Sequence, residues 1–283
     1  MSQPLDLLYA GSLQSLLTEE LFPGFTRLTG YHCSGRAGGS REWARQLRLS
    51  QTQADLLLSA DVNVNEIELL RPGQELAEWY LIFATNELVL AYSDTSPAYP
   101  AMQEILASKA GWLQLLQAGY RLGRPDPEKD PKGYRTLFAL QLAERHFNLP
   151  GLLDRVAGPP RNPAQLFDPA QLTPLLKRGE LDLAFSYRSQ AEEAGLPFII
   201  LPDLINLGSP ALADHYASVA YQCDDGAVYR GAPIAYTATP LANARQPLAA
   251  AAFLLFLASA EAAAIIQRHG FRPASTLVRP RQP

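Results

Sequence analysis

LDLLYAGSL, residues 5–13, gives the clearest indication of the fold class of this chain. Leu5 to Tyr9 is a mostly apolar run typical of a buried strand, and the small residues Ala10-Gly11-Ser12 end it. From Leu13 to Phe22 the apolar residues then recur at helical spacing. The sequence therefore predicts a strand that leads directly into a helix, which is the repeating step of an α/β protein.

The same alternation continues along the chain. The further segments are the helix Ser40 to Leu49, the strand Ala54 to Ser59, the long strand Phe83 to Tyr92, the helix Pro131 to Phe147, the strand Leu181 to Tyr187 and the short helix Gln190 to Ala194. Strands that alternate with helices of this length predict parallel sheets covered by helices on both faces.

Length and composition place the chain among ordinary globular proteins. Of its 283 residues, 47% are apolar and 18% are charged, which is enough for two lobes with a core each. The longest apolar run, Pro247 to Ile266, includes Ser259 and Glu261, and it predicts a buried helix rather than a membrane span. The net charge is −4 and the basic residues are scattered, so nucleic acid is not an expected partner.

No catalytic or metal-binding motif stands out in the sequence. The four histidines fall in no nucleophile or metal spacing, and neither GxSxG nor a P-loop occurs, so an enzyme is not expected. Cys33 and Cys223 are far apart and form no CxxC motif. Two buried free thiols are expected, with a disulfide as the alternative in an oxidising compartment.

Two strand-to-helix junctions share a design that suits an anion. Ser12 follows Gly11 after the first strand, and Ser40 follows Gly38-Gly39 before the next helix. Glycine lets the backbone approach a ligand, a helix N-terminus favours negative charge, and a serine hydroxyl adds a donor. The alternative is that each serine only caps its helix.

A second group of candidates lies in the middle of the chain. Asp130 stands directly before a proline, and these residue types favour an N-cap and a first helical position. Ser186 and Tyr187 end an expected strand, at the edge where open α/β sheets place ligands. Ser189 with Glu192 matches a capping box. A structural role remains the alternative for each of them.

Seven segments in order resemble one known family, the tungstate/molybdate-binding proteins of ABC importers. They are AGSL (10–13), GSRE (39–42), ADLLLSAD (54–61), WYLIFATNELVLAY (79–92), GRPDPEKDPKGYRTL (123–137), GELDLAFSYRS (179–189) and LPDLINLG (201–208). The segment WYLIFATNELVLAY followed by DPKGYRTL is the specific part of the resemblance.

The resemblance implies a type II periplasmic-binding-protein fold. In that fold, crossing strands join two α/β lobes and the ligand lies in the cleft between them. One lobe would hold residues 1–83 plus 213–283, and the other would hold residues 84–212.

The resemblance also implies the ligand-binding residues. Ser12 and Ser40 would bind the anion from one lobe, and Asp130 would approach it from the other, next to Ser186 and Tyr187. In the family a glutamate precedes the tyrosine of YRS, and a cysteine stands in DPCGYR. Here Ser186 and Lys132 occupy those positions. The replacement of the glutamate by Ser186 removes one carboxylate, which favours an anion held mainly by hydrogen-bond donors.

The expected function is therefore transport. The expected ligand is molybdate or tungstate, with sulfate or another oxyanion as the alternative, and no cofactor or metal is expected beyond the ligand's own Mo or W centre. The expected partner is an ABC permease, and the protein is expected to be a monomer. No signal or lipoprotein leader precedes Leu5, so the chain is either a periplasmic or extracellular membrane-associated protein shown without its leader, or a cytoplasmic oxyanion sensor of the same fold.

Overall fold

The chain folds into two compact units. The computed structural model describes residues 3–71, 73, 75–108 and 111–279, so Met1, Ser2 and 280–283, which the expected first lobe includes, lie outside the described residues. The first unit comprises Met1–Asn86 and Ile234–Pro283, and the second comprises Glu87–Pro233.

The strands of the two units are numbered together in chain order. They are β1 (Leu5–Ala10), β2 (Cys33–Gly38), β3 (Leu56–Ser59), β4 (Tyr80–Thr85), β5 (Leu88–Tyr92), β6 (Leu122–Gly123), β7 (Leu183–Tyr187), β8 (Phe198–Ile200), β9 (Ala220–Gln222), β10 (Val228–Arg230), β11 (Ala235–Pro240) and β12 (Arg272–Val278).

The helices follow the same numbering. The α-helices are α1 (Phe22–Thr29), α2 (Ser40–Arg48), α3 (Val62–Val64), α4 (Tyr99–Leu106), α5 (Gly111–Gln117), α6 (Pro131–His146), α7 (Leu152–Ala157), α8 (Pro169–Lys177), α9 (Arg188–Ala194), α10 (Asp203–Asn206), α11 (Ala213–Tyr216), α12 (Pro247–Leu257) and α13 (Ala260–Arg268). Short 3-10 turns cover Gly11–Leu13 and Pro210–Leu212, and π-helical turns cover Leu16–Leu21 and Asn65–Leu69.

The first unit is built on a six-stranded mixed sheet of order β12-β4-β11-β3-β1-β2. The strands β2, β1 and β3 run parallel, as the alternating pattern predicts, whereas β11 is antiparallel to β3 and β4, and β12 is antiparallel to β4. The expectation of parallel sheets therefore holds for only half of this sheet. The antiparallel half arises because the chain returns from the second unit and adds its last two strands to the sheet.

The second unit is built on a four-stranded sheet of order β6-β7-β5-β8. In it β7 is parallel to β6 and antiparallel to β5. Buried Asp182, one residue before β7, accepts hydrogen bonds from Arg121 Nε at 3.0 Å and from Ser96 Oγ at 2.5 Å. This carboxylate ties the ends of three neighbouring strands together.

The long helix α6 forms the centre of the second unit and packs against the β9–β10 hairpin. The ring of Tyr134 stacks on that of Tyr229 with centroids 4.9 Å apart, and Gln141 Nε2 donates to Ala220 O at 3.3 Å. These contacts place residues 213–233 in the second unit, whereas they were expected in the first. The chain passes between units at residues 86–87 and 233–234, against the expected 83–84 and 212–213.

Two long segments are interrupted where one continuous element was expected. The predicted strand Phe83 to Tyr92 is divided between β4 and β5 at Asn86 and Glu87, where Asn86 N–H donates to Ile234 O at 3.1 Å instead of continuing a strand ladder. The predicted helix Pro247 to Ile266 is two helices, α12 and α13, bent by 67°. The bend follows from Ser259, which caps α13 by accepting the Ala262 N–H.

Among the helices of the described residues, no single one has both the length and the apolar composition to cross a bilayer. The helices α12 and α13 meet both criteria only as the bent pair.

Candidate functional site

The first group of candidate residues lies at one edge of the first unit's sheet. The strands β1 and β2 are parallel and in register, with Ala10 opposite Gly38. Because parallel neighbours end at the same edge, the segments that carry Ser12 and Ser40 leave the sheet side by side. The edge continues to β3, where Ala60 N–H donates to Ser40 Oγ at 3.1 Å.

Neither serine caps a helix. The N-cap of α2 is Gly39, and Ser40 is the first residue inside the helix, where its side chain is fully buried. Ser12 lies inside the 3-10 turn Gly11–Leu13, whose N-cap is Ala10. The structure therefore excludes the capping alternative for both hydroxyls.

Both hydroxyls accept a hydrogen bond and keep their own hydrogen available. Tyr236 Oη donates to Ser12 Oγ at 3.1 Å, just as Ala60 N–H donates to Ser40 Oγ. Among the residues that the structure describes, neither serine hydroxyl donates to a protein acceptor. A serine hydroxyl has one donor and two acceptor positions, so each of these can still donate to an oxyanion oxygen.

The indole of Trp43 adds a third donor that the sequence did not single out. Its Nε1 atom is buried and has no hydrogen-bond partner within the described part of the chain. The ring lies against Gly38, where a Cβ atom would come within 2.6 Å of Nε1. A buried indole N–H normally finds an acceptor. The only signal in the sequence is glycine at the end of β2, five residues before a tryptophan.

The second group of candidate residues lies at an edge of the second unit's sheet. The strands β6 and β7 are parallel, so they end at the same edge of the sheet. Ser186 and Tyr187 are the last two residues of β7, and the loop after β6 carries Asp130. Asp130 caps α6, because its Oδ1 accepts the Lys132 N–H at 2.8 Å. Its predicted N-cap role is thus confirmed.

Tyr187 is held by two cations of α6. Arg135 Nη1 donates to Tyr187 Oη at 2.8 Å, and the Arg135 guanidinium lies 5.7 Å from the centre of the tyrosine ring. Lys132 Nζ lies 5.6 Å from the same centre and donates to Gln190 Oε1 at 3.0 Å. Ser186 Oγ, also buried, donates to Tyr187 O at 3.2 Å.

Burial changes the electrostatics of Asp130 and Lys132 in opposite directions. Burial raises the pKa of the Asp130 carboxyl, and the positive charge of Lys132 opposes that rise. Burial lowers the pKa of the Lys132 ammonium group, and Asp130 opposes that fall. Burial therefore favours the neutral form of each group, the interaction between the two groups favours the charged forms, and Arg135 adds a second basic side chain to the first turns of α6.

The start of α9 differs from the predicted capping box. The helix begins at Arg188 with Tyr187 as its N-cap, so Ser189 is already inside it. Glu192 does not reach back to a cap; it accepts a hydrogen bond from Arg188 Nε at 2.7 Å. Arg188 also bridges to buried Glu87 at 2.9 Å, and this network orients the segment that follows Ser186.

The described residues contain neither a metal-ligating cluster nor a disulfide. In that part of the chain no group of three or more His, Cys, Asp or Glu side chains could hold a metal ion. Cys33 and Cys223 are free thiols, as expected, although only Cys223 is fully buried.

Comparison with known proteins assigns the chain to a family. Residues 5–272 match the bacterial extracellular solute-binding proteins. The chain belongs to this family. It is therefore a solute-binding protein and not an enzyme.

Individual relatives agree with this assignment. A provisionally named ABC transporter molybdenum-binding protein of Haloferax volcanii is 38% identical over 234 residues, covering 82% of this chain and 71% of that protein. The molybdate/tungstate-binding protein WtpA of Thermococcus kodakarensis is 30% identical over 246 residues, covering 80% and 68%. The solved periplasmic molybdate-binding protein of Azotobacter vinelandii matches with a TM-score of 0.65 at 20% identity, over 98% of this chain and 100% of that one. This likeness confirms the expected periplasmic-binding-protein fold.

Proposed function

We propose that this solute-binding protein captures a tetrahedral oxyanion, molybdate or tungstate, outside the cytoplasmic membrane and delivers it to the permease of an ABC importer. The names of its relatives support the ligand and the transporter class. The observation that carries the proposal is the set of unused donors at one sheet edge, namely the hydroxyls of Ser12 and Ser40 and the indole N–H of Trp43.

These donors suit an oxyanion because they act without a cationic side chain. Each can give one hydrogen bond to an anion oxygen, and hydrogen bonds to charged groups are about twice as strong as neutral ones. The first turn of α2, where Ser40 lies, adds backbone N–H groups and the positive end of the helix dipole. A bare sulfate or molybdate ion could be held in this way.

In the second unit, Asp130, Ser186 and Tyr187 are the proposed ligand-binding residues. A carboxylate about 4 Å from a unit negative charge is repelled by about 4 kcal/mol at an effective dielectric of 20. The raised pKa of Asp130 reduces this repulsion, because a protonated carboxyl can donate to an oxyanion instead. Ser186, which is neutral, adds no further repulsion.

The test is a titration of ligand-free protein by calorimetry with molybdate, tungstate, sulfate and phosphate. We expect molybdate and tungstate to bind more tightly than sulfate. A sulfate affinity equal to or greater than that of molybdate would assign the protein to the sulfate class, and binding of none of the four would refute an oxyanion function.

A charge change at Ser186 tests the second unit's contribution. Ser186→Glu places a carboxylate at the buried end of β7, so it should weaken sulfate more than tungstate, whose metal can accept an additional oxygen ligand. X-ray absorption at the tungsten edge should report four or five oxygens in the wild-type protein. Six oxygens would contradict a site held mainly by donors.

Location and partner are tested separately from the ligand. In the proposed importer role, the protein works as a monomer outside the cytoplasmic membrane and stimulates ATP hydrolysis by its permease complex. Reconstitution of that complex in vesicles with the loaded protein should show stimulation. A cytoplasmic location in fractionated cells would favour the sensor alternative.

A further inference from the structure

We propose that the Lys132 ammonium group binds the oxyanion directly and makes the protein prefer dianions over monoanions of the same shape. This inference rests on the proposed function and adds a cationic ligand that the family's sequence motif does not contain. It concerns the second unit's residues alone.

Lys132 is a buried ammonium group whose hydrogen-bonding capacity is only partly used. The side chain is 5% exposed. Within the described residues, one of its three N–H donors forms a hydrogen bond, to Gln190 Oε1 at 3.0 Å. In the same part of the chain, no carboxylate forms an ion pair with Nζ. A buried charge is costly unless it is paired, so spare donors at this depth indicate an anionic partner.

The backbone of Lys132 is fixed before any ligand arrives. Its N–H is bonded to Asp130 Oδ1, and its carbonyl accepts from Thr136 Oγ1 at 2.8 Å. The next residue, Gly133, lies so close to the preceding loop that a Cβ atom would come within 2.7 Å of Pro125 O. The first turn of α6 therefore cannot shift away from this loop without losing the contact.

The Lys132 side chain is oriented by two groups from the segment after β7. The Lys132 Nζ atom lies over the Tyr187 ring, 5.6 Å from the ring centre, and the Gln190 amide oxygen accepts one hydrogen bond from Nζ. Both neighbours attract an ammonium group without neutralising it. A positive charge that is held in place and forms no ion pair within the described residues can bind an incoming anion with little reorganisation.

The charge of the ligand separates this role from a structural one. Molybdate and perrhenate are both tetrahedral four-oxygen anions of similar size, but molybdate carries two negative charges and perrhenate one. The attraction of an ammonium group to the dianion is about twice that to the monoanion. Loss of the Lys132 charge should therefore weaken the binding of molybdate more than the binding of perrhenate.

The experiment compares three proteins by calorimetric titration with both anions. In Lys132→Met we expect the molybdate dissociation constant to rise about 10- to 100-fold, as for a lost charged hydrogen bond, and the perrhenate constant to rise much less. Lys129→Met is the matched control, because Lys129 has the same charge three residues away but is exposed, and its affinities should not change.

The outcomes distinguish a failure of this inference from a failure of the proposed function. Unchanged molybdate affinity in Lys132→Met, or equal losses for the two anions, would overturn the inference while leaving oxyanion binding by the wild type in place. A wild-type protein that binds neither anion would overturn the proposed function together with it. If thermal unfolding shows that Lys132→Met is not folded, Lys132→Gln, which keeps donors but not the charge, gives the same comparison.

Discussion

Replacing Ser12 by alanine removes one hydroxyl from the anion-binding edge of the first unit. Ser12 is partly exposed, and its Oγ accepts a single hydrogen bond from Tyr236 Oη. The loss of that neutral hydrogen bond should lower the free energy of unfolding by about 1 kcal/mol. The loss of a hydrogen bond to a charged ligand should cost about 1.5–3 kcal/mol in binding, which raises the molybdate dissociation constant about 10- to 150-fold.

The assay is calorimetric titration with molybdate, and two further variants isolate the cause. Ser15→Ala changes a serine in the same segment whose hydroxyl forms no hydrogen bond with the described residues. This variant should therefore bind molybdate like the wild type. Tyr236→Phe removes the hydrogen bond that Ser12 accepts but keeps the Ser12 hydroxyl, so it should have an intermediate effect. If Ser12→Ala binds molybdate as tightly as Ser15→Ala, the hydroxyl does not contact the ligand and the reasoning is refuted.

Gly38→Ala should weaken molybdate binding and change tryptophan fluorescence, because the added Cβ would lie 2.6 Å from Trp43 Nε1. Gly11→Ala is the steric control, because its added Cβ would lie 3.9 Å from the nearest atom. Equal fluorescence spectra for the two variants would contradict a steric effect of Gly38→Ala on Trp43. Burial raises the pKa of Cys33 to about 12, so about 10⁻⁴ of it is thiolate at pH 8 and alkylation of the folded protein should be very slow. Labelling at the rate of the unfolded chain would show that the thiol is not protected. Asp182→Asn should lower the free energy of unfolding by about 2–3 kcal/mol at pH 7, measured in urea. Burial raises the pKa of Asp182, but its hydrogen bonds lower it further, so its stabilisation exists above the unfolded value near ~3.9 and is lost as the pH falls through the folded pKa. If Asp182→Asn lowers the free energy of unfolding equally at pH 7 and pH 2.5, the stabilisation does not come from the ionised Asp182 carboxylate.

Local signals in the sequence were enough to predict the class of fold and the class of protein. Most of the predicted elements occur, including β1, β3, α2, α6 and β7, because their signals are local: apolar periodicity, N-cap residues and proline at a first helical position. The order of motifs from AGSL to LPDLINLG was sufficient to indicate the solute-binding family, which the match over residues 5–272 confirms. The candidate residues Ser12, Ser40, Asp130, Ser186 and Tyr187 were also chosen from such local signals.

The contacts of those residues depend on the tertiary structure. The partners of Ser12 and Ser40 are Tyr236 and Ala60, which lie 224 and 20 residues away in sequence, so no local pattern could show that the two hydroxyls keep their hydrogens available. The same holds for the division of the strand after Thr85 and for the return of the chain at residue 234 rather than 213, since both depend on pairing with distant segments. In the sequence, nothing distinguishes Lys132 from other lysines in the first turn of a helix. The fold buries its charge, because α6 packs against β7 and Gln190 of α9 accepts a hydrogen bond from Lys132 Nζ.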